Sequence, residues 1–463
     1  WTAREGPTYT RLAGAIADAV AQGHLGLGTR LPSERALASQ LRISRGTVVA
    51  AYDALRARGI VLTRRGSGTV VQGRATRARA HRAPLLSRLV DGGGAPIDLA
   101  VGGMQLSESE LPDIGVSLPA VAQLLPKHGY APLGVADLRQ ALAARFTERG
   151  VPTSADQILI TNGGQGDISL IAATLLSPSD RVLTEAPTYP AAIEAFGRSG
   201  ARVEGIERDH AGPLVARLEE ELACRPARLI YLIPTCHNPT GGVMSEGRRL
   251  AVLRLARQAR SLVVEDSVIE DLLLEGDPPP SLARLEPERV LTIGSLSKTV
   301  WGGLRVGWIR ASPEMVLRLG RVKAALDLGS PALEQAAALE IVARYDTLLE
   351  RRRQLLRRRL DTLCAELDSQ LPEWSFAPPR GGLSVWVALP WASADDLAQL
   401  ALRRGVAVSS GRSAAPGEQF LSHLRLSAGP PPALIRDGVG RLAEAWHELR
   451  ALPAPTYQQP VIA

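Results

Sequence analysis

Lysine is almost missing from this chain of 463 residues, which holds three, at positions 127, 298 and 323. Every other basic position is arginine, whose guanidinium stays protonated and cannot form an imine, so a lysine here reads as a requirement for an amine. Cysteine is equally scarce: Cys224, Cys236 and Cys364 are scattered, odd in number and without metal-ligand spacing. That excludes a disulfide framework, gives no reason to expect a metal site, and points to a reduced, cytoplasmic setting. No apolar run approaches membrane-spanning length, and the first residues, WTAREGPTYT, carry no signal-peptide pattern, so no membrane association is expected. Repeats and low-complexity tracts are also lacking. At 45% hydrophobic and 22% charged residues the chain is globular, and its length exceeds one ordinary domain.

What is present is unevenly distributed. Residues 1 to 83 hold 14 arginines and no lysine against 4 acidic residues, while the remainder holds 40 basic against 43 acidic residues. The whole positive excess therefore lies in the first module, which suggests a polyanionic partner. The periodicity from Tyr9 to Gln22 predicts a helix with Leu12, Ile16, Ala19 and Val20 on its inner face. Ser33 caps a second helix, SERALASQL, and Ser44 a third, whose Val48, Tyr52 and Leu55 face inward. IVLT, the turn RRGSG and TVV then form a hairpin. Three helices and a hairpin make a winged helix-turn-helix over residues 1–72. In that arrangement Ser44, Arg45, Gly46 and Thr47 meet base edges and phosphates of double-stranded DNA, while Arg35, Arg64 and Arg65 hold the phosphate backbone. This stretch closely resembles the GntR-type DNA-binding domain. Residues 73–96, rich in Arg, Ala and Gly, read as a linker.

From Ile97 the pattern changes to apolar runs alternating with helical stretches. ILIT, RVLTE, ARVEGI, RLIYLIP, LVVE, VLTIG and LRVGWI read as strands of one mostly parallel sheet in an α/β body, with a large part over about 130–310. Two helical segments follow Ala311, the second a long arginine-rich one reaching Leu367 whose charge is expected to face solvent. A small α+β part, over about 311–455 and joined by the segment after the linker, completes the body. The tail after Pro453 is expected to be loose.

Lys298 falls in the turn between VLTIG and LRVGWI, among the hydroxyls of Ser295, Ser297 and Thr299. Arg305, at the expected start of the next strand, adds a fork of donors, and a fork beside two hydroxyls suits a phosphate. An imine-forming amine next to a phosphate clamp points to pyridoxal 5'-phosphate, and the other groups that cofactor needs have candidates. Asp266 can keep the pyridine nitrogen protonated, Asn238 can donate to the ring phenolate, and Tyr189 offers a face for stacking. The strand-to-helix turn at Gly164 and Gln165 can turn amides toward the phosphate. In sheets of this class such groups gather beyond the carboxyl ends of the strands.

With these motifs in order, GGQG, EAPTYP, NPTG, ED and SLSK…GLR, the body resembles the fold-type I aminotransferases. The resemblance implies that Tyr130, in YAPLG, reaches the phosphate of a neighbouring subunit and that Arg425, in LRLSAG, receives a substrate carboxylate. It also implies a cis Asn238–Pro239 bond. A GntR-type reader on such a body resembles the MocR-type transcriptional regulators, which implies a homodimer with each reader packed on the other subunit. The function expected is a regulator that senses an amine or amino acid by imine exchange at Lys298. An active aminotransferase with a fused reader is the alternative, and a cofactor-less dimerisation scaffold a third. One departure bears on the choice: Asp266 is followed by Ser267, Val268 and Ile269, where the resembling families carry a tyrosine that donates to the ring phenolate. Weak or no transaminase activity is therefore expected.

Overall fold

The computed structural model describes residues 7–21, 25, 29–57, 60–64, 68–71, 97–126, 128–417 and 419–451. The expected linker, the C-terminal tail, Lys127 and Arg65 lie outside these residues.

The first module consists of helices α1 (Thr8–Ala21), α2 (Glu34–Leu41) and α3 (Arg45–Ala57) and of strands β1 (Val61–Arg64) and β2 (Gly68–Val71), paired antiparallel. Ser33 caps α2 through its hydroxyl, which accepts from Ala36 N, and Arg42 in the left-handed region (φ 52°) ends that helix. Val48, Tyr52 and Leu55 are buried as the periodicity requires, and Tyr52 anchors the α2 entry by donating to Pro32 O at 2.8 Å. In α1 Leu12 and Val20 are buried as expected, joined on the inner stripe by Ala13 and Ala17 in place of Ile16 and Ala19. Ile16 and Ala19 sit at its margins, because the close α1–α3 packing selects the small alanines for the contact.

The body starts with β3 (Ile97–Asp98) and is built on an eight-stranded sheet. Its strands are β4 (Ile158–Thr161), β5 (Arg181–Ala186), β6 (Arg202–Asp209), β7 (Gly212–Pro213), β8 (Leu229–Leu232), β9 (Leu262–Asp266), β10 (Val290–Ser295) and β11 (Gly307–Arg310). The order is β4-β11-β10-β9-β8-β5-β6-β7, parallel except for β11 and the edge strand β7. β4, β5, β8 and β10 are buried along their whole length, as strands covered by helices on both faces must be. A second sheet, β12 (Ser375–Phe376), β13 (Ser384–Ala388), β15 (Ser409–Ser410) and β16 (His423–Ser427), is antiparallel in the order β12-β13-β16-β15. β14 (Val406–Ala407) pairs in parallel with β3, so the segment following the linker is woven into this smaller part. Among the described residues no helix is long and apolar enough to cross a membrane.

The structure corrects three further expectations. The two helical segments after Ala311 are three helices, Pro313–Asp327, Ala332–Ala343 and Tyr345–Gln370, divided where Gly329 (φ 136°) and Pro331 cannot continue a helix and again at Arg344. The arginines of the long helix are not all solvated: Arg352 and Arg359 are buried and donate to main-chain carbonyls. Arg305 does not open a strand. It lies in the left-handed region (φ 50°) after the turn Gly302–Leu304, and β11 begins two residues later at Gly307. At that point two backbones cross closely, since a Cβ on Gly307 would lie 2.6 Å from Gly163 Cα. Gly307→Ala should therefore destabilise the body by about 1–3 kcal/mol, the usual cost of overpacking, and lower its thermal midpoint. An unchanged midpoint by calorimetry would contradict this account of the crossing.

Candidate functional sites

Five strand ends converge on one place. β4 leads to Gly163 and Gly164, β5 to Tyr189, β8 to Asn238, β9 ends in Asp266, and β10 leads to Lys298. All five strands run in the same direction, so these residues lie beyond one edge of the sheet.

Lys298 donates from Nζ to Gly102 O at 2.5 Å. Burial, reinforced by the nearby Arg425 and Arg305 guanidinium groups and opposed by Asp266, brings its amine down to about 8. Asp266 is buried, and burial raises its pKa although it accepts from the Tyr231 hydroxyl and, at 3.0 Å, from Val268 N. Burial and the Asp266 charge push the half-buried Tyr189 phenol up to about 12, with Arg425 and Arg305 opposing, so Tyr189 lies within electrostatic reach of all three. Asn238 Oδ1 accepts from Arg425 Nη1 at 3.4 Å, and Arg425 Nη2 also donates to Ala100 O. The Asn238–Pro239 bond is cis, as the resemblance implies.

The phosphate-type cradle forms where the helix Gly164–Leu175 begins. Gly163 holds φ 88°, a conformation suited to glycine, and the first amides of a helix have no acceptor within it. Arg305 faces this turn, with Nη2 donating to Asn162 O at 2.7 Å and Nη1 lying 3.4 Å from Ser297 Oγ. The Ser295 hydroxyl is 2.9 Å from both Ser297 Oγ and Val306 O, which makes it a brace of the Lys298 turn. Gln165 Nε2 reaches Ala191 O at 3.4 Å, while Gln165 Oε1 and Asn162 Oδ1 are buried without a protein partner. The free first amides of this helix beside the Arg305 guanidinium suit an anionic cofactor group, whereas the two amide oxygens, which only accept, do not contribute to it. Tyr130 stands apart, 55% exposed, its ring stacked on His128.

Sequence reasoning did not find Tyr231, Asp167 or the grip of the long helix on the turn behind Lys298. Tyr231 pairs with Val264, so its ring shares a face with Asp266, a relation fixed by register. Asp167 is fully buried, accepts from Thr161, and is held well above the usual carboxylate range by burial. Arg352 donates to Thr299 O at 3.0 Å and Val300 O at 2.9 Å, and the Tyr345 hydroxyl, which donates to Asp271, lies 3.1 Å from Thr299 Oγ1, clamping the residues after Lys298 from the long helix. Val268, which stands close to the position of the absent tyrosine, packs on the phosphate turn, where a Cβ on Gly164 would meet its Cγ2 at 2.8 Å.

In the first module Arg35, Ser44, Arg45 and Gly46 are exposed and Thr47 is half-buried. The Ser44 hydroxyl accepts from Thr47 N at 3.1 Å and lies 2.8 Å from Thr47 Oγ1, so both hydroxyls serve the α3 cap. Arg45 is held near the helix start by Glu34 at 3.2 Å. A Cβ on Gly46 would meet only Ser44 Oγ, at 3.8 Å, which leaves the backbone there open to close approach. Arg64 ends β1.

Family comparisons agree with this geometry. Residues 8–71 match the gntR family of bacterial regulatory proteins, and residues 96–442 match aminotransferase class I and II. The HTH-type transcriptional regulator YdfD of Bacillus subtilis is 30% identical, over 88% of this chain and 89% of its own length. The probable rhizopine catabolism regulatory protein MocR of Rhizobium meliloti is 29% identical over 80% of this chain and 78% of its own. This chain belongs to the MocR-type regulators. Aminotransferases share the body of the family: the α-aminoadipate aminotransferase LysN of Thermus thermophilus, solved with N-(5'-phosphopyridoxyl)-L-leucine, superimposes with a TM-score of 0.72 at 30% identity, over 80% of this chain and 96% of that one. The fold-type I body and its pyridoxal phosphate dependence follow from these relations, and the Lys298 cluster fits that cofactor.

Because burial and two guanidinium groups lower the Lys298 amine to about 8, its unprotonated, nucleophilic fraction should grow as pH rises through that value. Capture of added pyridoxal phosphate by cofactor-free protein, followed by stopped-flow absorbance, should accelerate with a midpoint near 8. A midpoint at the ordinary lysine value would show that the amine is not desolvated.

Proposed function

We propose that this MocR-type protein is a transcriptional regulator that binds double-stranded DNA through its first module and senses a small amine or amino acid by exchange at Lys298. The observation that carries the reading is the gathering of Lys298, Asp266, Asn238, Tyr189, Arg305 and Arg425 in a body joined to an arginine-rich reader. When bound, pyridoxal phosphate supplies a carbonyl carbon that primary amines capture reversibly and a ring that withdraws electrons. Lys298 is the chain's own amine at that carbon, and Asp266 keeps the ring nitrogen protonated. Gly164, Gln165, Ser297 and Arg305 hold the phosphate, with Ser295 bracing the turn, and Arg425 receives the ligand carboxylate.

A route from ligand to reader follows from what Arg425 and Lys298 now hold. They bond Ala100 O and Gly102 O, carbonyls of the segment that continues from β3 and hence from the expected linker. A ligand carboxylate competes with Ala100 O for the Arg425 donors and so loosens that segment, while Lys298, freed by the ligand amine, can still bond Gly102 O. The reading includes a cytoplasmic homodimer, with each reader against its neighbour's body. Exposed Tyr130, Leu326, Leu328 and Leu333 support it, since Gly329 packs on Ala131 O and brings those leucines beside Tyr130.

An active aminotransferase is the second reading, favoured by the complete lysine, aspartate and arginine set and by relatives such as the 2-aminoadipate transaminase of Thermus thermophilus, 33% identical over 71% of this chain. Against it stand Val268 and Ile269, which supply no hydroxyl where the phenolate donor belongs. One hydrogen bond to a charged group is worth roughly 1.5–3 kcal/mol. Ligand exchange tolerates that loss better than turnover, which also needs Lys298 to move a proton within a finely set site.

Two experiments test the proposal. Affinity for a fragment of the protein's own promoter, measured by fluorescence anisotropy, should fall steeply with salt, and Arg45→Ala should lose about 1–3 kcal/mol of sequence preference. Equal affinity for random DNA at physiological salt would exclude a specific regulator. Amines should shift the bound cofactor's visible spectrum and change promoter affinity in wild type, Lys298→Ala should lack the resting imine band, and conversion of amino acid to keto acid should stay slow. Rapid, complete turnover with no effect on DNA binding would favour the enzyme.

A further inference from the structure

Behind Asn238 lies a ring of four polar side chains that neither the amine site nor the reader accounts for. Glu185, at the end region of β5, and His237 are fully buried, and the Arg208 side chain is 4% exposed. Arg208 Nε donates to Glu185 Oε1 at 3.1 Å, and Arg208 Nη1 donates to Thr240 Oγ1 at 2.8 Å. Thr240 Oγ1 lies 2.9 Å from His237 Nδ1, and His237 Nε2 stands 3.4 Å from Glu185 Oε2 without a hydrogen bond, so the ring is closed on that side by proximity alone. Glu185 Oε2 also accepts from Ile233 N at 2.9 Å, fixing the carboxylate to the end of β8.

Proton accounting gives the ring a single direction. Thr240 Oγ1 already accepts from Arg208 and, at 3.4 Å, from Gly242 N, so both its lone pairs are engaged and its hydroxyl hydrogen goes to His237 Nδ1. Nδ1 is thus an acceptor. Burial, assisted by Arg208, keeps the imidazole neutral, which places its hydrogen on Nε2, 3.4 Å from Glu185 Oε2 and without a hydrogen-bond partner among the described residues. His237 and Thr240 flank Asn238–Pro239, and the same turn is tied by Gly241 N to His237 O at 2.6 Å and His237 N to Gly242 O at 2.9 Å. With Asn238 Oδ1 taken by Arg425, only its Nδ2 hydrogens remain for the ring phenolate.

We infer that the Glu185–Arg208–Thr240–His237 ring is a positioning device that fixes the Asn238 amide, and with it the donor that the proposed site offers the cofactor phenolate. A buried ionic ring contributes little net stability compared with apolar packing of the same volume, and a single fixed geometry is what it offers in return. The inference rests on the proposed cofactor site. Its residues act through Asn238 and touch neither ligand nor cofactor.

Thr240→Val removes the acceptor for Arg208 and the donor to His237 while keeping the side chain's shape. In cofactor-loaded protein it should raise the pH midpoint of the visible absorbance by about half to one unit, since weakening a donor to a phenolate favours the protonated form. Thr240→Ser should restore the wild-type midpoint, which a merely structural role for the threonine methyl would not do. Should Thr240→Val fail to fold, His237→Phe, which can neither accept from Thr240 nor donate onward, should give the same rise. A folded Thr240→Val or His237→Phe with an unmoved midpoint overturns the inference. Wild type lacking any titrating band would instead count against the cofactor site itself, so the two failures are distinct.

Discussion

A desolvated amine between two guanidinium groups, with one buried carboxylate opposite, is the constraint on which the site depends. Arg425 and Arg305 make protonation of Lys298 costly, and Asp266 limits that cost without removing it. Such a group persists only if its neighbours are fixed, because a relaxed pocket would let water in and restore the ordinary amine. The sheet supplies the fixing. Asp266 is the last residue of β9, Lys298 follows β10 by three residues, and Arg305 is held by the Gly163–Gly307 crossing that joins β11 to the turn after β4.

The long helix Tyr345–Gln370 extends this rigidity from the large part of the body to the small one. Arg352 and Tyr345 grip Thr299 and Val300 directly behind Lys298, and two turns further on Arg359 grips Gln105 O and Gly429 O. Gly429 follows β16, which carries Arg425. One helix therefore references the amine and the carboxylate receptor to a common axis. Its buried arginines are spent on carbonyls that would otherwise lack donors in the interior, and this is why their charge does not face solvent.

Much of this was legible in the sequence because the signals were local. The order of glycine turn, tyrosine, Asn-Pro, aspartate and lysine follows the strand ends, and the α/β alternation fixes on which edge of the sheet they meet. The first module was equally readable from its caps and inward-facing residues, although α1 turned its alanines inward where Ile16 and Ala19 were expected. What escaped depends on register and tertiary packing. Tyr231 reaches Asp266 only because β8 and β9 pair with Tyr231 opposite Val264. Arg352 and Arg359 look like the other arginines of their helix until the helix docks, and Arg305 lies outside its expected strand, near a backbone crossing with Gly163 more than a hundred residues away.

The loss of a hydroxyl after Asp266 and the ring behind Asn238 bear on the same atom of the cofactor. If two donors share the phenolate, an error in either is buffered by the other. Here Val268 has taken the nearby space against Gly164, and in the proposed site the phenolate would rely on Asn238. A lone donor must be held better, and Asn238 is held from both sides, by Arg425 on its oxygen and by His237 and Thr240 on the flanking backbone turn. Arg425 is also the group proposed to receive the ligand carboxylate. A ligand that draws Arg425 away from Asn238 Oδ1 therefore loosens the amide at the moment it binds, so carboxylate recognition and cofactor protonation become coupled through one hydrogen bond. Such coupling suits a receptor, which must register that a ligand has arrived, more than it suits a catalyst, whose donors serve best when they stay fixed through every step.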